Sequence, residues 1–137
     1  MICILTASFN ARITDEMQRS AVEVFDAAGE AYEITRVPDA LQLPVVAQRW
    51  IRSRRPDVIL ALACVVRGST GRYDFVVRTC VDALARVALE GSTPIVPGIL
   101  ACPDRSLAWE RRNCGAQYAQ SVLEMKKLFA GPRPDPT

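Results

Sequence analysis

Nine consecutive residues, Val58-Ile-Leu-Ala-Leu-Ala-Cys-Val-Val66, carry no polar side chain. A strand with one wet face alternates apolar and polar residues. A run apolar on both faces needs cover on both sides, as in a parallel sheet enclosed by helices. This segment is therefore expected to be a central strand, and the remaining chain has to supply its neighbours and its cover.

The rest of the pattern does so. Ile2 to Ala7 reads as a buried strand. Met17, Ala21, Val24, Phe25 and Ala28 follow at helical spacing, with Thr14-Asp15-Glu16 as the expected start and Gly29 as the stop. Tyr32 to Val37 reads as a strand closed by Pro38. Leu43, Val46, Ala47, Trp50 and Ile51 then form an amphipathic stripe, with Pro44 early enough for a helix to tolerate it. After Val66 a polar turn, Arg67 to Arg72, precedes a helix carrying Val76, Cys80, Ala83, Leu84 and Val87, and Gly91-Ser-Thr-Pro94 punctuates it. Ile95 to Leu100 is the fourth strand, where Pro97-Gly98 suggests a strand end or bulge. Helix is expected from Ser106 to about Phe129, in two pieces broken near Asn113-Cys-Gly115. Gly131 to Thr137, rich in proline, is expected to hold no regular structure. Strands alternating with helices predict a single α/β domain over residues 1–130, in three layers around a four-stranded parallel sheet.

Composition narrows the functional classes. A net charge of +2 over 137 residues gives no basic footprint for nucleic acid. The dense cluster Arg49, Arg52, Arg54 and Arg55 closes a predicted helix, where cations suit the negative end of the dipole. The five cysteines, Cys3, Cys64, Cys80, Cys102 and Cys114, are widely spaced and form no CxxC pair. That argues against a disulfide framework or a metal site and favours a reducing cytoplasm. The amino terminus lacks the basic region of a signal peptide, and no apolar run approaches the ~20 residues of a membrane span. The chain contains no histidine, so the commonest general base is missing.

In a parallel α/β sheet, ligands gather at the carboxyl ends of the strands. Those ends are expected at Ser8-Phe9-Asn10, Pro38 to Gln42, Arg67 to Arg72 and Ile99 to Cys102, where the unusual residues of the chain concentrate. Phe9 offers an aromatic face, or is a core residue. Gln42 offers an amide for hydroxyls, or is merely solvated. Ser69 and Thr70, after a glycine at a helix opening, suit a phosphate or simply cap the helix. Arg111 and Arg112 offer counter-charge or decorate a surface. Cys114, near several arginines, either has a lowered thiol pKa or is a small residue in a turn.

Taken in order, Ser8-Phe-Asn10, Val37-Pro-Asp-Ala-Leu-Gln-Leu-Pro44, Val65-Val-Arg-Gly-Ser-Thr-Gly-Arg-Tyr-Asp-Phe-Val76, Gly98-Ile-Leu100 and Gly115 through Leu123-Glu-Met125 resemble the signature blocks of the lumazine synthase family. The resemblance spans residues 1 to about 129, and Val65 to Val76 is its most specific block. It implies a flavodoxin-like fold. It also implies condensation of 5-amino-6-(D-ribitylamino)uracil with 3,4-dihydroxy-2-butanone 4-phosphate to give 6,7-dimethyl-8-ribityllumazine, without a cofactor. By the same resemblance Phe9, beside Asn10, stacks on the uracil. Backbone at Ala40 and Leu41 with the side chain of Gln42 holds the ribityl chain, and main chain at Val65 and Val66 meets the uracil edge. Ser69, Thr70 and Arg111 bind phosphate. The implied assembly is a homopentamer, or a larger shell, with sites between subunits and Pro97 reaching the site of the adjacent chain.

The departures from the family pattern fall in the site. Gln42 stands where the family has Glu, and Arg72 where it has the histidine of proton transfer. Pro97 replaces an aromatic, Cys114 replaces a lysine facing the substrate, and the Arg111–Gly115 stretch is shortened. An arginine stays protonated and cannot act as a general base. Three readings follow: a synthase with weakened acid–base catalysis, a paralogue with a changed, more anionic substrate, or a non-catalytic flavin- or pterin-binding assembly protein.

Overall fold

The structure is a computed structural model that describes residues 1–68 and 72–132. Ser69 and Thr70, and the last five residues of the proline-rich tail, lie outside the described residues. Four strands, β1 (Ile2–Ala7), β2 (Tyr32–Val37), β3 (Val58–Val66) and β4 (Ile95–Cys102), pair in parallel in the order β2-β1-β3-β4. The nine-residue apolar run is β3, an inner strand, and its residues from Val58 to Cys64 are fully covered. Every residue of β1, its inner neighbour, is also buried.

The sheet has helices on both faces. Helix α1 (Ala11–Ala27) and helix α5 (Gly115–Leu128) cover the face that bears Ile2, Ile4, Leu60 and Leu62. Helix α2 (Leu43–Arg54) and helix α3 (Arg72–Gly91) cover the face that bears Cys3, Leu5, Ile59 and Ala61. The predicted stripe on α2 holds, with Leu43, Ala47 and Ile51 buried and Val46 and Trp50 packed beside them. Helix α1 meets α5 at Gly115, where a Cβ would lie 1.8 Å from the Met17 carbonyl oxygen. Only glycine allows that approach. The predicted break before α5 is present, as a short helix α4 (Arg105–Glu110) and a 3-10 turn at Arg112–Cys114.

Three local expectations are corrected. Helix α1 starts at Ala11 instead of at the Thr14 cluster, and Thr14 is buried inside it. Its N-cap is Asn10, in the left-handed conformation at φ 62°. Helix α3 runs through Gly91 instead of ending before it. Pro97-Gly98 makes no bulge, for β4 keeps regular register to Cys102 with Pro97 opposite Ala61. The N–H groups of Ile59 and Arg67 donate to the carbonyls of Pro94 and Cys102, so the even-numbered residues of β4 face β3. The nitrogen of Pro97 therefore points off the open edge of the sheet, where its missing N–H costs no ladder bond.

Candidate active site

The carboxyl ends of the strands are tied together by backbone bonds. Beyond β1, the N–H of Ser8 donates to the Val37 carbonyl at 2.7 Å and that of Phe9 to the Pro38 carbonyl at 3.1 Å. This joins Phe9 to the segment after β2. There the Asp39 carboxylate accepts from the Leu41 N–H at 2.9 Å and caps a 3-10 turn, Ala40–Gln42. Ala40 is buried and Gln42 is exposed. The Asn10 side-chain amide donates to the Cys64 carbonyl at 2.9 Å, which holds the start of α1 against β3. Val65 and Val66 are half-buried, and the Arg67 N–H donates to the Cys102 carbonyl at 2.9 Å.

The structure thus brings Phe9, Asn10, the Ala40–Gln42 turn and Val65–Val66 to one edge. Phe9 exposes 68% of its surface there. Arg72 is exposed in the first turn of α3, and Arg111 is exposed directly after α4. Two residues stand apart within a single chain. Pro97 is level with Ala61 and hence with Leu5, four residues short of Phe9 or about 13 Å along the strand. Cys114 packs against the core beneath α1, between Asn113, which accepts from Arg19 at 3.1 Å, and Gly115 on Met17. Burial pushes its thiol up to about 11. The lowered thiol pKa considered for Cys114 is therefore corrected: desolvation raises the thiol, only a backbone hydrogen bond opposes it, and the small residue in a turn is what the structure contains.

The carboxyl edge also holds residues that the sequence reading did not single out. A cleft of about 480 Å³ opens beside Phe9, lined by Asn10, Arg12, Ile13, Arg105 and Trp109. The Arg12 guanidinium lies 4.5 Å from the Trp109 ring centroid and that of Arg112 lies 4.2 Å from it. The Arg112 guanidinium also donates to the Trp109 carbonyl at 2.8 Å. A larger groove, about 1050 Å³, lies at the opposite, amino edge beside Pro94, Lys127 and Phe129, away from every predicted site residue. Arg105 was hidden by the strand boundary. Ending the fourth strand at Leu100 left Pro103-Asp-Arg105 unplaced, whereas a strand reaching Cys102 carries them onto the ligand edge.

At the amino edge, Met1 pairs with Asp57, Arg54 with Glu33 and Lys126 with Glu30. At the carboxyl edge, Arg12, Arg67, Arg72, Arg105 and Arg111 form no ion pair among the described residues. Five arginines at the edge where ligands are expected therefore have no carboxylate partner among the described residues. No group of histidine, cysteine, aspartate or glutamate side chains able to hold a metal ion occurs among the described residues.

Compared with known proteins, residues 1–130 match the sequence profile of the family described as 6,7-dimethyl-8-ribityllumazine synthase. The chain belongs to this family. The lumazine synthase of Thermococcus gammatolerans is 32% identical over 131 residues, covering 92% of this chain and 85% of its own length. That of Corynebacterium glutamicum is 41% identical over 110 residues, covering 80% and 68%. That of Corynebacterium efficiens is 40% identical over 141 residues, covering 98% and 87%. The α/β architecture with its four parallel strands is that of a lumazine synthase fold, and the family is one of transferase-type enzymes. No helix among the described residues is long and apolar enough to cross a membrane.

Proposed function

We propose that the chain condenses 5-amino-6-(D-ribitylamino)uracil with 3,4-dihydroxy-2-butanone 4-phosphate into 6,7-dimethyl-8-ribityllumazine. The observation that carries this reading is the family match along residues 1–130, combined with the convergence of Phe9, the Ala40–Gln42 turn and Val65–Val66 on one edge. The uracil amine adds to the ketone and loses water to form an imine. Phosphate is then eliminated, and closure of the second ring expels a second water. Placing two substrates together supplies a large share of such a rate, since effective molarities reach ~10⁵ M or more.

In this reading Phe9 stacks on the uracil beside Asn10. Backbone at Ala40 and Leu41 and the Gln42 amide take the ribityl hydroxyls, and main chain at Val65 and Val66 meets the uracil edge. Ser69, Thr70 and Arg111 hold the phosphate. Arg72 neutralises charge and moves no proton. Cys114, protonated at neutral pH, takes no chemical step. The assembly is a homopentamer with α3 along the five-fold axis, and Pro97 serves the site of the next chain. Helix α3 supports this because it buries only Cys80, Leu84 and Val87 while exposing Phe75 and Leu89. Five free cysteines fit a cytoplasmic setting. Incubation with both substrates, following lumazine absorbance and phosphate release, tests the reading. Product above the spontaneous rate supports it, and none overturns it. The unpaired arginines of the carboxyl edge favour a second reading, in which the same scaffold turns over a more anionic substrate.

A further inference from the structure

We propose that the cleft between the start of α1 and α4 is a binding subsite for a planar ring bearing a phosphate, with the ring against Phe9 and the phosphate between Arg12 and Arg105. The cleft, about 480 Å³, is within the range of small-ligand sites. Two of its walls are guanidiniums with no carboxylate partner among the described residues. The carboxylate nearest in sequence, Asp104, is engaged elsewhere, accepting from the Leu107 N–H at 2.8 Å to cap α4. Asp104 and Arg105 form no ion pair.

The Arg12 guanidinium carbon lies over the Trp109 ring, 4.5 Å from its centroid, a cation–π contact that restrains the side chain. Arg12 makes no ion pair among the described residues, and a planar fork of N–H donors suits a phosphate, which accepts two bonds from each arginine. The Asn10 amide is turned away to the Cys64 carbonyl and forms no cap bond, so the first N–H groups of α1 add to the same potential. These groups do not carry the assignment alone; the two arginines do. Among the apolar residues lining the cleft, Phe9 is the most exposed, 68% of its surface being open, and its ring suits a flat apolar partner.

Arg111 does not line this cleft, so the phosphate position is distinct from that of the synthase reading, with which the subsite shares Phe9 and Asn10. The test uses the full chain with Trp50→Phe, leaving Trp109 as the single tryptophan reporter. Phenyl phosphate, phenol and inorganic phosphate are titrated in turn. The expected result is a saturable change in Trp109 fluorescence with phenyl phosphate, weaker binding of inorganic phosphate and none of phenol. Arg105→Gln and Arg12→Gln should each weaken phenyl phosphate by about tenfold or more, as for a lost hydrogen bond to a charged group, and Arg105→Lys should recover part of the loss. No saturable change, equal affinity in Arg105→Gln, or equal affinity for inorganic and phenyl phosphate overturns the proposal. Lumazine formation by the same preparation separates the two readings. Product without phenyl phosphate binding removes the subsite alone, and binding without product removes the synthase reading alone.

Discussion

The Asn10 side-chain amide donates to the Cys64 carbonyl at 2.9 Å, across 54 residues of sequence, and in doing so holds the first residue before α1 in a left-handed conformation. One contact sets both the start of a helix and the position of Phe9 beside it. Replacing Asn10 by Gly should cost the hydrogen bond alone, about 1 kcal/mol. Replacing it by Ala should add the left-handed penalty, about 1–2 kcal/mol more. Urea unfolding of the two variants measures the difference, and equal stabilities would contradict this account of the turn.

Burial raises the thiols of Cys64, Cys80 and Cys114 to about 11. Neighbouring Cys102 and Cys114 add to the rise at Cys64, and Arg105 opposes it. In the unfolded chain these thiols ionise first, at their ordinary pKa, about 8.5. From there up to about pH 11 the native state holds more protons than the unfolded state, so stability falls as pH rises. Below the ordinary thiol pKa the contribution is constant. Each group adds a slope of about 1.4 kcal/mol per pH unit inside the window. Denaturant midpoints between pH 7 and 10.5 should therefore be level at first and then drop. A profile level throughout would contradict the burial of these thiols.

Arg111→Ala should weaken phosphate-bearing substrates by about 1.5–3 kcal/mol, the range for hydrogen bonds to charged groups. Steady-state kinetics in the butanone phosphate measure it. Unchanged affinity would place the phosphate elsewhere.

Light scattering at micromolar concentration should give the mass of five chains. Leu89→Asp, on the exposed face of α3, should shift that mass toward smaller species, because a carboxylate resists desolvation in an interface. A wild-type chain that is monomeric at this concentration would remove the pentamer.

Arg72→His supplies the base that the chain lacks. Turnover of the two substrates should rise about tenfold or more, within what a positioned base contributes. The gain should fade below an imidazole pKa of about 6.5. No gain in a variant that still binds both substrates would favour the more anionic substrate, because imidazole poorly replaces a guanidinium fork at an anion.

Much of this molecule was legible as pattern. Val58–Val66, Ile2–Ala7 and Tyr32–Val37 appear as strands with the expected bounds; for the two inner strands, burial on both faces leaves an unbroken or nearly unbroken apolar run in sequence, while Pro38 marks the end of the edge strand. The α2 stripe and the break at Arg112–Cys114 were legible for the same reason: helical burial repeats every few residues, and turns interrupt it. The strand ends located Phe9 and Ala40–Gln42 at the carboxyl edge, and the family blocks added Val65–Val66.

What the pattern does not encode is contact between distant segments. The start of α1 depends on a bond from Asn10 to Cys64, so the local signal at Thr14 pointed to the wrong residue. Pro97 sits in regular strand because β4 is an edge, which is a property of sheet order and not of the Pro97-Gly98 pair. Cys114 lies near arginines in sequence, but folding turns it into the core, where desolvation governs its thiol. Arg12, Arg105 and Trp109 are unremarkable as letters. They become a cleft only when α1 and α4 meet at the ends of the strands, since an anion site requires charges brought together from segments more than ninety residues apart. Secondary structure and family were determined by the order of side chains; the charge at the ligand edge was decided by tertiary packing.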